Sequence, residues 1–268
     1  MKYIYGPVPS WRLSRSLGVD PVSTEKKTCS FDCIYCQLGR TVNPAIKRKV
    51  FVKPDDFVKE LILTKKLLRE SILEKGLDEK ELPIDYITFS GLAEPTLAEN
   101  LSELVKVIRQ NMSQPVAILT NSSLMVREDV LRDLLLFDVV VTKIDAPNEL
   151  LFKKINKPFV SYGIEKIIEQ IKLFSENFNG RLEIQMMFID YNKYFAKELA
   201  DIAREIKPNR VQLNTPLRPS PVSPLNIEEM DHIEKEFKGL NTLNVYKAVR
   251  TKVLTLNERE TRRRRPSD

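Results

Sequence analysis

Every cysteine of the chain lies in TCSFDCIYCQLGRT, residues 28–41: Cys29, Cys33 and Cys36, spaced C-x3-C-x2-C. A structural zinc ion wants four ligands, and the single histidine, His232, lies far off on a segment that reads as a surface helix. Cys33 and Cys36 alone would make a C-x2-C redox pair and leave Cys29 unexplained. Iron–sulfur clusters bind through thiolates, usually four of them. Three thiolates leave one iron without a protein ligand, open to a substrate or cofactor. The spacing therefore points to a cluster whose fourth ligand comes from outside the protein.

Such a loop needs a scaffold, and the rest of the chain has the pattern of one. At 268 residues, 42% hydrophobic and 30% charged, the chain can bury a full core as an ordinary globular protein. From about residue 50, amphipathic helices alternate with short apolar runs. Helices are expected over 54–76, 101–110, 127–136, 161–178 and 196–207. The first has Pro54 near its N-terminus and Gly76 at its end. Strands are expected at 85–91, 116–122, 138–145, 181–189 and 210–214, with LGVDPV (17–22) as a first strand. These runs are nearly continuous in apolar residues, as strands covered on both faces are. Repeated β-α units give an α/β fold with a parallel sheet, open or curled into a partial barrel.

Ligands gather at the C-terminal ends of such strands. Those ends read SGLAEP, TNSS, KIDAP and NTPLRP, and the cysteine loop follows the first strand on the same rim. After about residue 218 the composition changes. A proline-rich loop leads to a helix near 227–237, a strand within LNVYKAV (243–249) and a charged tail. The expected organisation is a barrel domain, 1–218, and a small C-terminal extension, 219–268.

The net charge of +6 is modest, and half of it sits in the last ten residues, RETRRRRPSD. This tail is expected to be disordered alone, to order on RNA if RNA is bound, and to be dispensable for cofactor chemistry. The N-terminus MKYIYGPVPSWRL has no apolar run of signal length, and no stretch approaches the ~20 apolar residues of a membrane span. The expected location is cytoplasmic with no membrane partner, where thiols stay reduced.

The C-x3-C-x2-C motif with Tyr35 just before Cys36 resembles the signature of the radical S-adenosylmethionine (radical SAM) superfamily. The resemblance spans roughly residues 5–218. It implies a partial (β/α)6 barrel, one 4Fe-4S cluster on Cys29, Cys33 and Cys36, and S-adenosylmethionine bound to the open iron. One electron from a reductant such as ferredoxin or flavodoxin then yields a 5′-deoxyadenosyl radical that abstracts a substrate hydrogen.

FSGLAEPTL matches the family's Gly-Gly-Glu-Pro-like turn at Gly91, Glu94 and Pro95, with Ala93 at the second glycine position. The resemblance implies that this turn holds the methionine amino group. It also makes Asn121 of LTNSSL a cofactor contact, with Ser122 where the family often has glycine. Lys143 is implied to pair with the methionine carboxylate, Asp145 to accept from a ribose hydroxyl, and Gln185 to touch adenosine; Lys143 and Asp145 read equally as a structural ion pair. YGPVPSWRLSRSLGVDP, taken with the cysteine loop, is similar to a group of iron–sulfur proteins distantly related to the wybutosine-tRNA enzyme, which makes tRNA a candidate substrate. Arg12, Arg15, Asn214 and Arg218 are the candidate substrate residues, the arginines as bidentate partners of an anion. The rival reading is a non-catalytic iron–sulfur or zinc-binding protein.

Overall fold

The computed structural model describes residues 1–73, 84–249 and 251–266. Its strands are β1 (Ile4–Ser10), β2 (Ser14–Val19), β5 (Tyr86–Phe89), β6 (Val116–Leu119), β7 (Val139–Lys143), β8 (Arg181–Met187), β9 (Arg210–Asn214) and β10 (Thr242–Asn244), with a two-residue pair, β3 (Thr28–Cys29) and β4 (Asn43–Pro44), in the cysteine loop. The helices are α1 (Pro54–Leu73), α2 (Leu101–Asn111), α3 (Glu128–Leu134), α4 (Glu149–Ile155), α5 (Ile164–Asn177), α6 (Ala196–Ile206), α7 (Ile227–Glu236) and α8 (Glu258–Arg264). The expected helix end at Gly76 lies outside the described residues.

The strands form one sheet in the order β1-β2-β5-β6-β7-β8-β9-β10. From β2 to β10 every neighbour is parallel, and β1 alone is antiparallel, on β2. This is the expected α/β partial barrel. The periodicity of the sequence explains its layers. Leu101, Leu104, Val105 and Ile108 form one buried stripe of α2, and Ile164, Ile167, Ile171 and Phe174 form another on α5. Both pack in a core between helices and sheet. A second, smaller cluster of Leu13, Ala117, Val139 and Val141 fills the concave side. The strands therefore carry apolar residues on both faces, each fully buried side chain contributing roughly 1.5–3 kcal/mol.

Three features depart from expectation. The first parallel strand is Ser14–Val19, and β1 precedes it. Pro7 and Pro9 interrupt the strand pattern of β1, which is tolerated because β1 is the sheet's edge. α4 lies where no element was expected. The arginine-rich tail is not disordered: Asn257 caps α8 by accepting from Glu260 N at 3.0 Å, and α8 packs on β1.

The segment leading into α8 follows the outer edge of β1. Leu256 N donates to Gly6 O at 2.9 Å, and Gly6 N donates to Thr261 Oγ1 at 3.0 Å. Arg264 is buried against the Tyr5 ring and forms ion pairs with Asp20 (2.8 Å) and Glu260 (2.6 Å). A guanidinium that fills all its donors inside the protein is a structural group, and the sequence-level charge count does not reveal that.

Candidate functional site

The cysteine loop is stitched to the rim at both ends. Thr28 N donates to Leu92 O and Glu94 N to Thr28 O, so Cys29 follows a bridge to the loop after β5. Farther on, Asp32 N donates to Asn156 O (3.0 Å) and Ile34 N to Ile155 O (2.9 Å), at the end of α4. Phe31 meets Phe152 of that helix edge to face, with ring centroids 5.3 Å apart. A turn from Cys33 O to Cys36 N completes the loop.

All three thiols are free and half-buried. Asn121 Nδ2 donates to Cys29 Sγ at 3.4 Å, and Asn156 Nδ2 to Cys33 Sγ at 3.5 Å. Burial, followed by the nearby Glu94 carboxylate, pushes the Cys29 thiol up to about 12. Burial and Asp145 push Cys33 up to about 11. Such thiols give up their protons to a cation that replaces them. Among the described residues no three of His, Cys, Asp and Glu converge as a single-ion site. A donor set of three sulfurs along one cavity suits a cluster in which each thiolate takes its own iron.

The loop after β5 is shaped by buried carboxylates. Gly91 has φ +147°, and a Cβ there would fall 2.3 Å from the Asp20 carboxylate. Asp20 in turn accepts from Leu92 N at 3.2 Å. Ala93 has no positive φ and sits in the bridge to Thr28, so a side chain fits the second glycine position. Glu94, 3% exposed, accepts from Thr96 N, Thr96 Oγ1 (2.7 Å), Thr120 Oγ1 (2.6 Å) and Asn121 N (2.8 Å). It ties the end of β5 to the end of β6. Burial raises its proton affinity against the pull of those donors. Ser122 adopts the left-handed conformation, φ 69°, where the family often has glycine, and its hydroxyl accepts from Lys143 N at 2.9 Å.

At the end of β7, Asp145 is enclosed. One oxygen accepts from Tyr35 OH and Asn156 Nδ2 (2.8 Å); the other accepts from Met187 N (2.9 Å) and pairs with Lys143 Nζ (3.3 Å). Lys143 Nζ also lies 4.9 Å from the centre of the Tyr35 ring.

These elements enclose a cavity of about 330 Å³ on the concave side of the sheet. Its wall brings together Cys29, Cys33, Cys36 and Tyr35 with Gly91, Ala93, Glu94, Pro95 and Asn121. Lys143, Gln185, Asn214, Arg12 and Arg218 complete it. Two candidates stand elsewhere. Asp145 lies behind the wall with its oxygens occupied, inside the ion pair with Lys143. Arg15 sits at the N-terminal end of the strands, where its guanidinium grips Asp85 at 2.8 Å. Sequence reasoning missed Asn156 and Asp20. Asn156 follows a helix too short to announce itself, and Asp20 meets its partners across long stretches of chain. His232 is exposed on α7.

A curled parallel sheet with three cysteines on the rim of its cavity is the frame of an iron–sulfur enzyme. Residues 27–206 match the family model of the Radical SAM superfamily, and the chain belongs to that superfamily of enzymes. A UPF0026 protein of Methanocaldococcus jannaschii is 40% identical over 222 residues, covering 82% of this chain and 65% of that protein. The crystal structure of a radical SAM methyltransferase from Sphaerobacter thermophilus superposes with a TM-score of 0.66 at 18% identity, covering 86% of this chain and 66% of that one. Archaeal TYW1 superposes with a TM-score of 0.57 at 18% identity, covering 85% and 72%. The chain thus spans just under two thirds of the first two proteins. No helix among the described residues is long and apolar enough to cross a membrane.

Proposed function

We propose that this chain holds one 4Fe-4S cluster on Cys29, Cys33 and Cys36, binds S-adenosylmethionine in the adjoining cavity, and abstracts hydrogen from a small substrate that enters beside it. The observation that carries this reading is the single cavity whose wall joins the three thiols to the Gly91–Pro95 loop, Asn121 and Gln185. When bound, the cluster and S-adenosylmethionine supply one-electron reductive cleavage and a 5′-deoxyadenosyl radical. The electron comes from a small donor protein such as ferredoxin or flavodoxin.

The protein's own part is positioning. Asn121 and Asn156 orient the sulfurs of Cys29 and Cys33 through their amides. Glu94 fixes the backbone of the loop that meets the methionine end of the cofactor, and brings negative charge to its amino group. Lys143, held by Asp145, offers its ammonium at the cavity wall, where a carboxylate would meet it. Gln185 lies on the wall available to the adenosine. The tRNA reading rests on the likeness of YGPVPSWRLSRSLGVDP and the cysteine loop to proteins related to the wybutosine-tRNA enzyme, with the arginine tail as its expected phosphate contact. Arg264 is buried, and Arg262 and Arg263 pair with Glu258 and Glu260 in α8, so the tail gives that reading less support than its composition suggests, and the cavity favours a small substrate.

Reconstituted without oxygen, the protein should hold about four irons and four sulfides per chain. Once reduced, it should convert S-adenosylmethionine to methionine and 5′-deoxyadenosine. Stoichiometric zinc with no iron uptake, or a complete cluster that never cleaves the cofactor, would overturn the reading.

A further inference from the structure

The charges that line the cavity are almost all matched inside the protein. Lys143 pairs with Asp145, Arg264 with Asp20 and Glu260, and Lys27 Nζ donates to Gly39 O at 2.8 Å. Arg12 differs. Among the described residues its guanidinium makes no hydrogen bond or ion pair, and its Nε is buried without a partner. The Trp11 ring centre lies 5.1 Å from the guanidinium carbon.

The backbone that carries this side chain is firmly placed. Arg12 N and Leu13 N both donate to Ser10 Oγ, at 3.3 and 3.1 Å, which closes the turn between β1 and β2. Arg210 Nη2 donates to Arg12 O at 3.1 Å, and Leu13 is buried in the inner core. The nearby acid, Glu183, is already shared by Arg181 and Arg210. Burial, followed by the positive charge of Arg218 on the same cavity wall, lowers the Arg12 guanidinium to about 10. Arg218 Nη1 donates to Gln37 Oε1 at 2.9 Å, next to Cys36, so the second arginine is tied to the cysteine loop.

A half-buried guanidinium whose Nε is cut off from water and has no acceptor is unfavourable, and an oxyanion that fills its fork forms two parallel charge-assisted bonds. We propose that Arg12, with Arg218, forms an oxyanion subsite that anchors a substrate carboxylate or phosphate within the cavity shared with the cofactor. The assignment of this subsite to the substrate rests on the radical SAM reading; the anion site itself does not. The substrate is then a small acid or phosphate ester, its charged end held between the β1–β2 turn and the cysteine loop.

Trp11 is the only tryptophan of the chain and lies against Arg12, so it reports on the subsite. The test titrates the full-length protein with sodium phosphate and, separately, sodium acetate. Sodium chloride holds the ionic strength constant while Trp11 emission is followed. One or both anions should give a saturable change, and which one does so tells phosphate from carboxylate. The apparent affinity should fall by about tenfold or more in Arg12→Gln and in Arg218→Gln, and by less in Arg12→Lys, which keeps the charge and loses the fork. Arg218 lies in a separate loop, so its variant decides the matter if Arg12→Gln does not fold.

No saturable change with either anion, or unchanged affinity in both glutamine variants, would overturn the proposal. So would a Trp11 response that S-adenosylmethionine itself saturates in an Arg12-dependent way, since the subsite would then belong to the cofactor. The titration reads neither the cluster nor cofactor cleavage, so its failure and a failure of the radical reading are told apart.

Discussion

Gly91 and Asp20 show how tightly the loop after β5 is drawn. The positive φ of Gly91 and the 2.3 Å approach of a would-be Cβ to the Asp20 carboxylate leave no room for a side chain. Gly91→Ala should cost about 1–3 kcal/mol of stability and weaken S-adenosylmethionine binding; urea midpoints and equilibrium binding check both. No change in either would mean that Asp20 moves aside freely. Arg15 supplies the opposite lesson. Its pair with Asp85 holds that carboxyl below the usual carboxylate range. A depressed folded value stabilises the protein above the unfolded value of about 3.9 and is lost as pH falls through the folded one. Asp85→Asn should therefore lower the urea midpoint at pH 7 and lower it progressively less as the pH falls below about 4, whereas an equal loss throughout would assign the effect to packing. At this scale the cysteines were legible because their spacing is local. Arg15 was not, because nothing local marks which end of the barrel a side chain occupies.

Among the elements, the parallel strands were readable from apolar runs and the longer helices from their stripes. Those signals accumulate over many residues and do not depend on distant partners. α4 escaped because Glu149–Ile155 is under two turns long, yet it anchors the cysteine loop through Phe152 and its last carbonyls. β1 escaped because its two prolines break the strand pattern, and only its edge position makes them tolerable. The reading of α8 as a loose basic tail followed from composition. Composition weighs arginines by number and cannot see that Arg264 is enclosed by Asp20, Glu260, Lys2 O and the Tyr5 ring. These contacts argue for a role of the tail in cofactor binding, against the expectation that it is dispensable for cofactor chemistry. Arg264→Ala leaves Asp20 buried without its cation and should cost about 3–5 kcal/mol. S-adenosylmethionine binding should also weaken, because Asp20 supports Leu92. Adding Asp20→Asn should recover part of the stability by removing the stranded charge. An unchanged midpoint in Arg264→Ala would show that α8 does not dock in solution.

Across the whole molecule, the sheet has two unlike margins. The β10 side continues the parallel run, while the β1 side is antiparallel and covered by residues 255–264. The cavity lies within this arrangement, with the cysteines and the loop after β5 on the rim and Arg12 on the turn that joins β1 to β2. Sequence pattern conveys the β-α rhythm well and the closure poorly, because closure depends on single contacts between distant segments. Leu13, which reads as one more residue in a polar stretch, fills the concave core with Ala117, Val139 and Val141.

That closure also has a consequence in time. Arg264 is joined to Asp20 across 244 residues and to Lys2 O across 262. A ribosome adds residues from the N-terminus at roughly 5–20 per second, so Asp20 and the cysteine loop exist for many seconds before their last support is made. The sheet can pair strand by strand as it emerges. The carboxylate behind Gly91, however, stays without its cation until α8 is released. Maturation of the cavity wall is thereby set after synthesis of the barrel, and the nascent protein has its thiols in place before it can hold the Gly91 loop in its finished shape.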